Sequence, residues 1–493
     1  MDTYLGLDIG TSSVKALLLD ARQRPVATGS ASLEVARPHP LWSEQNPQDW
    51  WQATQDAVAQ VRAAAPDAWS RLRGIGLSGQ QHGAVLLDAG GRVLRPAILW
   101  NDGRSWAECA EITRRVPDLT ARSGNIAMAG FTAPKLLWVQ RHEPETFAAT
   151  ATVLLPKDYI RFRLSGAYVS DMSDASGTLW LDVAGRRWDD VLLAATELRR
   201  GQMPDLVEGS QRSADLSTTV AQEWGLGGQV IPIAGGGGDN AASAVGIGAV
   251  RTGDGFLSLG TSGVLFAVSD RYVSAPERTL HGFCHALPER WHGMSVHLSA
   301  AASLTWVAEV GGFGSDIAGL LRRTEAWAAD AVQRDNAPLF LPYLSGERTP
   351  HNDSDASGMF AGLRAGHGIE ALTYAVMEGV AFSLADGLDV LNGAGARLDT
   401  CQFVGGGARS MFWGQMLADV LGIDLSLPEG AEHGAAFGAA RLGMLAADAG
   451  DEAEICTRPS VQHVFRPGPD RHAKRLARFR ALYPAERQTR AAS

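Results

Sequence analysis

A chain of 493 residues is too long for a single hydrophobic core, so we expect two or three folded domains. Hydrophobic residues make up 45% and charged residues 20%, and the 22 prolines are spread along the chain, which excludes a largely disordered or fibrous protein. The formal net charge of -10 argues against general binding to nucleic acid or to an anionic membrane, so neither is expected as a partner.

Three further features favour a cytoplasmic location. The first residues, MDTYLGLDIG, contain no basic leader of an export signal, and no uninterrupted apolar run reaches membrane-spanning length. The four cysteines, Cys109, Cys284, Cys401 and Cys456, are far apart and form no CxxC pair, which argues against a disulfide scaffold and a zinc ribbon. A reducing compartment suits such a chain.

The chain begins with a predicted hairpin that has a polar turn. In YLGLDIGTSSVKALLLD, two apolar runs flank Gly10, Thr11 and Ser12, which predicts two short strands joined by a tight turn. Backbone N–H groups and hydroxyls in such a turn can form a nest for phosphate oxygens, although a single turn of this composition is usually only a turn. Asp8 precedes the turn and is either a turn former or a carboxylate placed for nucleotide-bound Mg²⁺.

The next segments indicate an α/β protein. QDWWQATQDAVAQVRAAA has the pattern of a helix, whereas GIGLSG and AVLLD are predicted strands. The GxGxxG match at Gly74, Gly76 and Gly79 lies in a strand and leads into no crossover helix, so we do not interpret it as dinucleotide-binding. A Walker loop is excluded, because none of the four lysines follows a glycine.

Near the middle of the chain a strand ends in four glycines, Gly235 to Gly238, and Asp239 follows at the start of a predicted helix. Aspartate is a preferred N-cap, so capping alone would explain Asp239. The glycines, however, keep side chains away from the carboxylate and leave space for a substrate hydroxyl. Phosphoryl transfer tolerates a weak base, because its transition state is largely dissociative and the proton is accepted late. Asp239 is therefore a candidate general base.

A second hairpin repeats the first about halfway along the chain. GFLSLGTSGVLFAVSD again has an apolar strand, a turn of Gly260, Thr261 and Ser262, and a second apolar strand. A single repeat at this spacing predicts duplicated domains rather than a solenoid, and the second domain should begin near residue 249. In the aligned hairpins Ser258 stands opposite Asp8, so only the first hairpin carries a carboxylate.

The second half contains a candidate metal motif and more glycine-rich segments. HGFCH, with His281, Cys284 and His285, lacks a fourth ligand at suitable spacing, so zinc is not expected. CQFVGGGARSMFWGQMLADVLG repeats the order of strand, glycines and helix, and is either an ordinary turn or a surface on which a planar base stacks. In HGAAFGAARLGMLAA, Gly434 and Gly438 lie on one helical face, which predicts tight packing.

Taken in order, these elements resemble the FGGY family of carbohydrate kinases, which has the actin, Hsp70 and hexokinase type of ATPase fold. The similarity runs from end to end and rests on long strings: HPLWSEQNPQDWW, GQQHGAVLLD, RPAILWNDGR, LLPKDYIRFRLSG, SDASGTLWLD and LPYLSGERTPHN. It is greatest for bacterial members that act on D-xylulose. The resemblance implies two actin-like (ribonuclease H-like) α/β domains with a cleft between them, residues 1–248 for the sugar and the catalytic base and residues 249–493 for ATP.

The resemblance also implies roles for single residues. Asp239 would be the general base, and Asp8 would lie near Mg²⁺, directly or through water. The ATP-binding set would be Gly10, Thr11, Ser12, Lys15, Gly260, Thr261, Ser262, Gly406, Gly407, Ala408 and Ser410. The sugar would contact Gln81, His82, Trp100, Asn101, Asp102 and Asn240. Relatives commonly have Met-His at the Gln81-His82 position, so we expect different hydrogen bonding around one sugar hydroxyl.

The implied reaction is the ATP-dependent phosphorylation of D-xylulose to D-xylulose 5-phosphate in pentose catabolism, with ATP and Mg²⁺ as cofactors. A homodimer is the usual assembly among relatives. Domain closure would align the hydroxyl with the γ-phosphate and exclude water. Two alternatives stay open: an FGGY kinase for another sugar or polyol, such as ribulose, gluconate or glycerol, and an actin-like ATPase that controls a partner protein.

Overall fold

The computed structural model describes residues 1–430, 433–469 and 471–492. The first two ranges contain both strands and helices, and the third contains the last two helices. The strands of the first half are β1 Thr3–Ile9, β2 Ser13–Asp20, β3 Pro25–Ser32, β4 Glu44–Gln45, β5 Leu72–Gly79, β6 Val85–Leu87, β7 Ala97–Ile98, β8 Thr152–Leu154, β9 Val169–Asp171, β10 Leu181–Asp182, β11 Arg187–Trp188, β12 Asp205–Val207, β13 Arg212–Asp215, β14 Pro232–Ala234 and β15 Gly237–Gly238. The strands of the second half are β16 Asp254–Leu259, β17 Gly263–Ser269, β18 His281–Cys284, β19 Trp291–His297, β20 Leu339–Leu341, β21 Met359–Ala361, β22 Thr400–Val404, β23 Leu425–Pro428 and β24 Val461–Phe465.

The helices of the first half are α1 Pro47–Ala64, α2 Pro66–Trp69, α3 Trp106–Arg115, α4 Leu119–Ser123, α5 Thr132–His142, α6 Pro144–Ala149, α7 Pro156–Ser165, α8 Met172–Ala175, α9 Asp190–Ala195, α10 Thr218–Glu223 and α11 Asp239–Gly246. Those of the second half are α12 Ala301–Val310, α13 Ile317–Ala328, α14 Ala331–Asn336, α15 Ile369–Gly393, α16 Met411–Leu421, α17 Gly434–Ala446, α18 Glu452–Ile455, α19 Ala473–Phe479 and α20 Leu482–Ala491. None of the helices in the described ranges has both the length and the apolar content that a membrane crossing requires.

Two seven-stranded sheets share the order of six of their strands, and β15 in the first and β18 in the second have no counterpart. The first has the order β13-β14-β5-β1-β2-β3, with β15 also paired to β5, and the second has the order β18-β19-β17-β16-β22-β23-β24. In each sheet a hairpin strand lies antiparallel to its hairpin partner and parallel to a strand that returns later: β1 with β2 and β5, and β16 with β17 and β22. This common order confirms the duplicated α/β architecture that the two hairpins predict.

The two hairpin turns differ in length. Ile9 pairs with Val14 in the first hairpin, so that four residues form the turn, whereas Leu259 pairs with Gly263 in the second and leaves three. Helix α12 begins directly behind the second turn, because the N–H of Ala301 donates to the carbonyl of Gly260 at 2.8 Å. The two turns therefore have the same composition but not the same backbone shape.

Hydrophobic packing joins the two halves. One cluster lies on the first sheet beneath α1 and contains Trp50, and another surrounds the long α15 and contains Phe340. A third mixes residues of both halves, with Phe131 and Phe283 rings 6.2 Å apart. Burial of apolar surface, the main favourable term in folding, thus acts across the boundary between the halves as well as within each half.

Helix α17 lies in sequence between β23 and β24 of the second sheet and packs on the first sheet. A Cβ atom on Gly438 would overlap the carbonyl oxygen of Ala242 in α11, and one on Gly76 of β5 would overlap the carbonyl oxygen of Ala439. Tight packing is thereby confirmed for Gly438. Gly434 begins the helix with φ 48° and a hypothetical Cβ there meets no atom within 4 Å, but its carbonyl oxygen lies 3.0 Å from a Cβ placed on Gly246, so close packing at Gly434 involves its backbone only. The division into domains at residues 248 and 249 stays a prediction.

Candidate active site

A cavity of about 190 Å³ lies between the two halves of the chain. The first half lines it with Gln81, His82, Trp100, Asp239 and Asn240, and the second half with Ser262, Val264, His281, Phe283, Met294, Val296, Leu298 and Arg348. A recess of about 380 Å³ shares Trp100, Leu298 and Arg348 with this cavity. The predicted base and most of the predicted sugar contacts therefore surround one space.

The glycine strand places Asp239 at the floor of the cavity. Gly237 and Gly238 form β15 and pair with the end of β5, whose Ser78 pairs on its other side with Asp8. The N-cap of α11 is Gly238 and Asp239 is the first helical residue, so the alternative explanation of Asp239 as a helix cap does not hold. Capping does not use the carboxylate, which leaves it available for chemistry.

The Asp239 carboxylate is held by its neighbour. Its Oδ1 accepts from the backbone N–H of Asn240 at 2.7 Å and from the Asn240 side-chain amide at 2.9 Å. Burial, with a smaller contribution from the charge of Asp8, raises the pKa of Asp239 to about 6, against the lowering effect of the Asn240 hydrogen bonds. A carboxyl group with this pKa is ionised at neutral pH and is a better base than an exposed aspartate.

Asp8 is the second carboxylate of the site. Burial raises its pKa, while the charge of Lys15, directly opposite on β2, acts to lower it. Its Oδ1 is buried and has no hydrogen-bond partner in the described protein. No group of three or more metal-ligating side chains occurs in the residues that the structure describes. Two close carboxylates nevertheless fit Mg²⁺, which takes one or two of them together with nucleotide phosphates and water.

The predicted nucleotide residues of the second half lie together. Gly405, with φ 92°, and Gly407 pack against Leu259, the residue before the second turn, and a Cβ on Gly407 would overlap the Leu259 side chain. A Cβ on Gly406 would meet no atom within 4 Å, so the backbone there faces open space. The hydroxyl of Ser410 accepts from Trp413 N–H at 3.2 Å and caps α16, which is a structural use of that side chain.

The first turn is connected to the sugar side of the cavity. The hydroxyl of Thr11 donates to Gln80 Oε1 at 3.0 Å and accepts from the indole N–H of Trp100 at 3.1 Å. Its side chain is thus engaged within the protein, whereas Ser12 and Lys15 are exposed. The hydroxyl of Thr11 holds Trp100, whose side chain stays 41% exposed at the cavity wall.

His82 has a fixed tautomer. Its Nδ1 lies 2.6 Å from the Gly177 carbonyl and must donate to it, so Nε2 is left as a hydrogen-bond acceptor. Burial lowers the pKa of His82 to about 3, so the ring is neutral. The backbone at His82 is left-handed, with φ 69°, and its carbonyl accepts from Lys135 Nζ at 2.8 Å. The neighbouring Gln81 side chain donates to the Ser173 carbonyl at 3.3 Å.

Asn101 and Asp102, predicted to lie close to the sugar, line a recess beside the main cavity, and their contact with the sugar stays a prediction. Both line the adjoining recess and not the cavity that contains Asp239. The carboxylate of Asp102 is fully buried, accepts from Ser43 N–H at 2.6 Å and forms a 2.7 Å ion pair with Arg104. The carboxylate is therefore satisfied within the protein, and its arrangement is that of a group that supports the wall of the site.

The first four residues of the HGFCH segment form β18 and His285 follows the strand, and the three candidate metal ligands have different neighbours. Nδ1 of His281 is 3.3 Å from Asn125 Oδ1, the thiol of Cys284 donates to the Val183 carbonyl, and Nδ1 of His285 accepts from a backbone N–H. His281 lines the cavity, and so does Arg348. Neither His281 nor Arg348 was predicted to line the site, although the two residues lie in the motifs HGFCH and LPYLSGERTPHN.

Comparison with known proteins assigns the family. The N-terminal domain model of the FGGY family of carbohydrate kinases matches residues 3–246, and the C-terminal domain model matches residues 255–447. This chain belongs to the FGGY family of carbohydrate kinases. The family membership predicted from the motifs is thereby confirmed, and so are the fold class and the assignment as a sugar kinase.

The FGGY kinase has relatives of nearly the same length. It is 50% identical over 484 residues to the xylulose kinase of Escherichia coli (strain K12), which covers 97% of this chain and 98% of the relative. The crystal structure of a xyloylose kinase from Brucella ovis has a TM-score of 0.95 and 49% identity, covering 99% of this chain and 100% of the other. That of xylulose kinase from Rhodospirillum rubrum has a TM-score of 0.89 and 30% identity, with coverage of 99% and 98%.

Proposed function

We propose that this FGGY kinase transfers the γ-phosphoryl group of Mg·ATP to the 5-hydroxyl of D-xylulose, as a step in pentose catabolism. The observation that carries the proposal is a carboxylate, Asp239, with one oxygen held and one free, in a cavity that both halves line. The choice of sugar follows the relatives, one of which is a xylulose kinase at 50% identity over 97% of this chain.

Asp239 orients the attacking alcohol and takes its proton. Because Asn240 holds Oδ1 through two N–H donors, Oδ2 is the oxygen that accepts from the sugar hydroxyl. The bond from the sugar oxygen to the γ-phosphorus forms as the bond to the β,γ-bridging oxygen breaks. ADP leaves with the electron pair of that bond, and the hydroxyl proton passes to Asp239 late in the transfer.

Asp8 is the residue we assign to Mg²⁺, directly or through a water. Its unpartnered, buried Oδ1 and its raised pKa suit a cation as neighbour. The bound cation neutralises charge on the phosphates and orients them. The phosphates would contact backbone N–H groups of the two turns, while the open backbone at Gly406 faces adenosine.

The sugar would lie between His82 and Trp100 on one side and the second half of the chain on the other. The acceptor Nε2 of His82 suits a hydroxyl, and the face of Trp100 suits the apolar side of the carbon chain. Closure of the two halves would exclude water, which otherwise competes with the sugar for the γ-phosphoryl group. Nucleotide hydrolysis without sugar should then be slow.

A cytoplasmic location and a homodimer are also part of the proposal. The four cysteines are buried and unpaired, which suits a reducing compartment. The net charge of -10 supports a protein that binds small molecules rather than nucleic acid or a membrane surface.

A coupled assay of ADP release over a panel of ketoses and polyols tests the proposed function. We expect release to depend on sugar and to give the highest kcat/KM with D-xylulose, with ribulose, gluconate and glycerol at least tenfold lower. A higher kcat/KM for another sugar would reassign the substrate. ADP release that ignores every sugar would instead indicate an ATPase that serves a partner protein.

A further inference from the structure

The guanidinium of Arg348 lines the active-site cavity and has no partner. In the described ranges the side chain of Arg348 makes no hydrogen bond and no ion pair. The residue is only partly exposed, and it lines both the cavity and the adjoining recess. Burial lowers the pKa of Arg348 and the charge of Glu347 only partly opposes this effect, so the cation loses hydration without a direct ion pair in the described residues. Oxygen atoms of a ligand would compensate for that loss.

The backbone that carries Arg348 is anchored on both sides. The buried carboxylate of Glu347 accepts from Leu298 N–H at 2.9 Å and from the N–H of Arg348 itself at 2.7 Å. On the other side, the hydroxyl of Thr349 donates to the Thr279 carbonyl at 3.0 Å and accepts from Val296 N–H at 3.0 Å. The protein therefore fixes the position of Arg348 while its guanidinium stays unused.

His281, which also belongs to the second half of the chain, has an unused hydrogen-bond acceptor, its Nε2 atom. The amide nitrogen of Asn125 donates to the carbonyls of Ser123 and Gly282, so its oxygen must accept from Nδ1 of His281. This fixes the proton of His281 on Nδ1 and leaves a lone pair on Nε2. His281 is 5% exposed, and Nε2 has no partner among the described residues.

The two imidazoles that Arg348 influences, those of His82 and His281, are neutral, and among the described residues its one charged neighbour of opposite sign is Glu347. The charge of Arg348 acts to lower the pKa of both His82 and His281, after the larger effect of burial, so both rings stay uncharged. The charge that acts on Asp239, by contrast, is that of Asp8. Arg348 lines the same cavity as both imidazoles and Asp239.

We propose that Arg348 and His281 form a sugar-recognition site supplied by the second half of the chain. The guanidinium donates hydrogen bonds to oxygen atoms of the ketopentose, and Nε2 of His281 accepts from one of its hydroxyls. Together with the acceptor Nε2 of His82, this arrangement offers donors and acceptors to hydroxyl groups, which need both. The site deepens the proposed function, on which it rests, because it makes sugar binding depend on both halves.

The test is steady-state kinetics of Arg348→Met, which keeps the length of the side chain and removes its donors. We expect KM for the sugar to rise at least tenfold, since a charge-assisted hydrogen bond is lost, with kcat and KM for ATP changing less than threefold. His281→Phe should raise KM for the sugar by about threefold to tenfold. Arg278→Met is the matched control, because Arg278 is exposed and lines neither the cavity nor the recess.

Two results would overturn the assignment. One is an unchanged KM for the sugar in Arg348→Met. The other is a hundredfold loss of kcat at unchanged KM, which would place the guanidinium on the transferred phosphoryl group. If Arg348→Met lacks the cooperative thermal unfolding of the wild type, Arg348→Lys decides: it keeps the charge but not the planar fork, and KM for the sugar should still rise several-fold.

The wild-type protein separates this inference from the proposed function. The sugar with the highest wild-type kcat/KM is the one used for the variants. If that sugar is not D-xylulose, the proposed substrate is wrong while the role of Arg348 is still tested on the true one. If D-xylulose is best and the variants leave its KM unchanged, only the role of Arg348 and His281 is wrong.

Discussion

Asp239 and Asp8 are neighbouring carboxylates in a buried site, and their repulsion has a measurable consequence for pH. The pKa of Asp239 is raised to about 6 by burial and by Asp8, so the residue is a base above this pH and is protonated below it. We expect kcat/KM to be flat near pH 7.5 and to fall about tenfold per pH unit well below pH 6. A pH profile measured with saturating Mg²⁺ and ATP checks this, and a flat profile down to pH 5 would contradict it.

Asp239→Asn should lose activity and gain stability at neutral pH. The asparagine oxygen can still accept from Asn240, so folding should persist, while turnover falls by orders of magnitude because no base remains. The pKa of Asp239 is higher in the folded protein than in the unfolded chain, so protonation of Asp239 favours the folded state. This contribution to stability is complete below the ordinary pKa of aspartate and is lost as the pH rises through about 6. At pH 7.5 the variant should therefore be roughly 1 to 3 kcal/mol more stable, with little difference near pH 4.

Asp190→Asn is the matched control for this substitution. Asp190 is likewise the first residue of a helix, α9, but it is exposed. Thermal unfolding at the two pH values should show no comparable change for it. If Asp239→Asn retained near-normal turnover, the general-base role would be wrong.

At the scale of elements, the glycines of α17 and α11 set the position of the helix that carries Asp239. A Cβ on Gly438 would overlap the Ala242 carbonyl, so Gly438→Ala must push the helices apart. We expect a loss of about 1 to 3 kcal/mol in the free energy of unfolding, and a fall in kcat because α11 begins at Asp239. Gly393→Ala, at an exposed helical position with no atom near its Cβ, should be neutral or stabilising. Chemical denaturation compares the two variants.

A buried ionic cluster supports the glycine strand from behind. Lys157 contacts Asp158 at 2.6 Å, Asp171 at 2.7 Å and Asp174 at 3.2 Å, and all four side chains are fully buried. Arg161 donates to the carbonyl of Gly235, so the cluster is connected to the glycine segment between β14 and Asp239. The family string LLPKDYIRFRLSG supplies Lys157, Asp158 and Arg161, and SDASGTLWLD supplies Asp174, while Asp171 lies two residues before the second string. These parts of the family strings therefore have a structural role, which is to form the buried ionic cluster that holds the glycine segment.

Lys157→Met should be strongly destabilising. It leaves three buried carboxylates without their common cation, and breaking a buried pair costs about 3 to 5 kcal/mol. Adding Asp171→Asn should recover part of that loss, because one of the unpaired charges is then removed. A double-mutant cycle measured by thermal unfolding checks this. Additive losses in the double variant would show that Lys157 and Asp171 do not interact.

At the scale of the whole molecule, α17 and the mixed hydrophobic cluster join the two halves. Phe131 and Phe283 belong to one cluster, and α17 of the second half lies on the sheet of the first. We therefore expect a single cooperative transition in calorimetry, with calorimetric and van't Hoff enthalpies in agreement. Addition of sugar at 100 times its dissociation constant should raise the stability by about 2.7 kcal/mol in the same transition. Two separate transitions would contradict this coupling.

The sequence alone determined the features that depend on near neighbours. Alternation of apolar residues predicted the hairpins β1–β2 and β16–β17, and the order of strand, glycines and helix located Asp239 at the start of α11. Long family strings determined the fold class and the family. Such patterns can be predicted because strand pairing in a hairpin and helix initiation depend on residues a few positions apart.

Only the tertiary structure decided which polar groups are satisfied and which are free. The carboxylate of Asp102 pairs with Arg104 and accepts a hydrogen bond from Ser43 N–H. The hydroxyl of Thr11 bonds to Trp100 and Gln80. The guanidinium of Arg348 has no hydrogen bond or ion pair in the described residues. The position of α17 on the first sheet was decided in the same way. The reason is that charge compensation and close packing depend on contacts between residues far apart in the chain, whose partners no local pattern reveals.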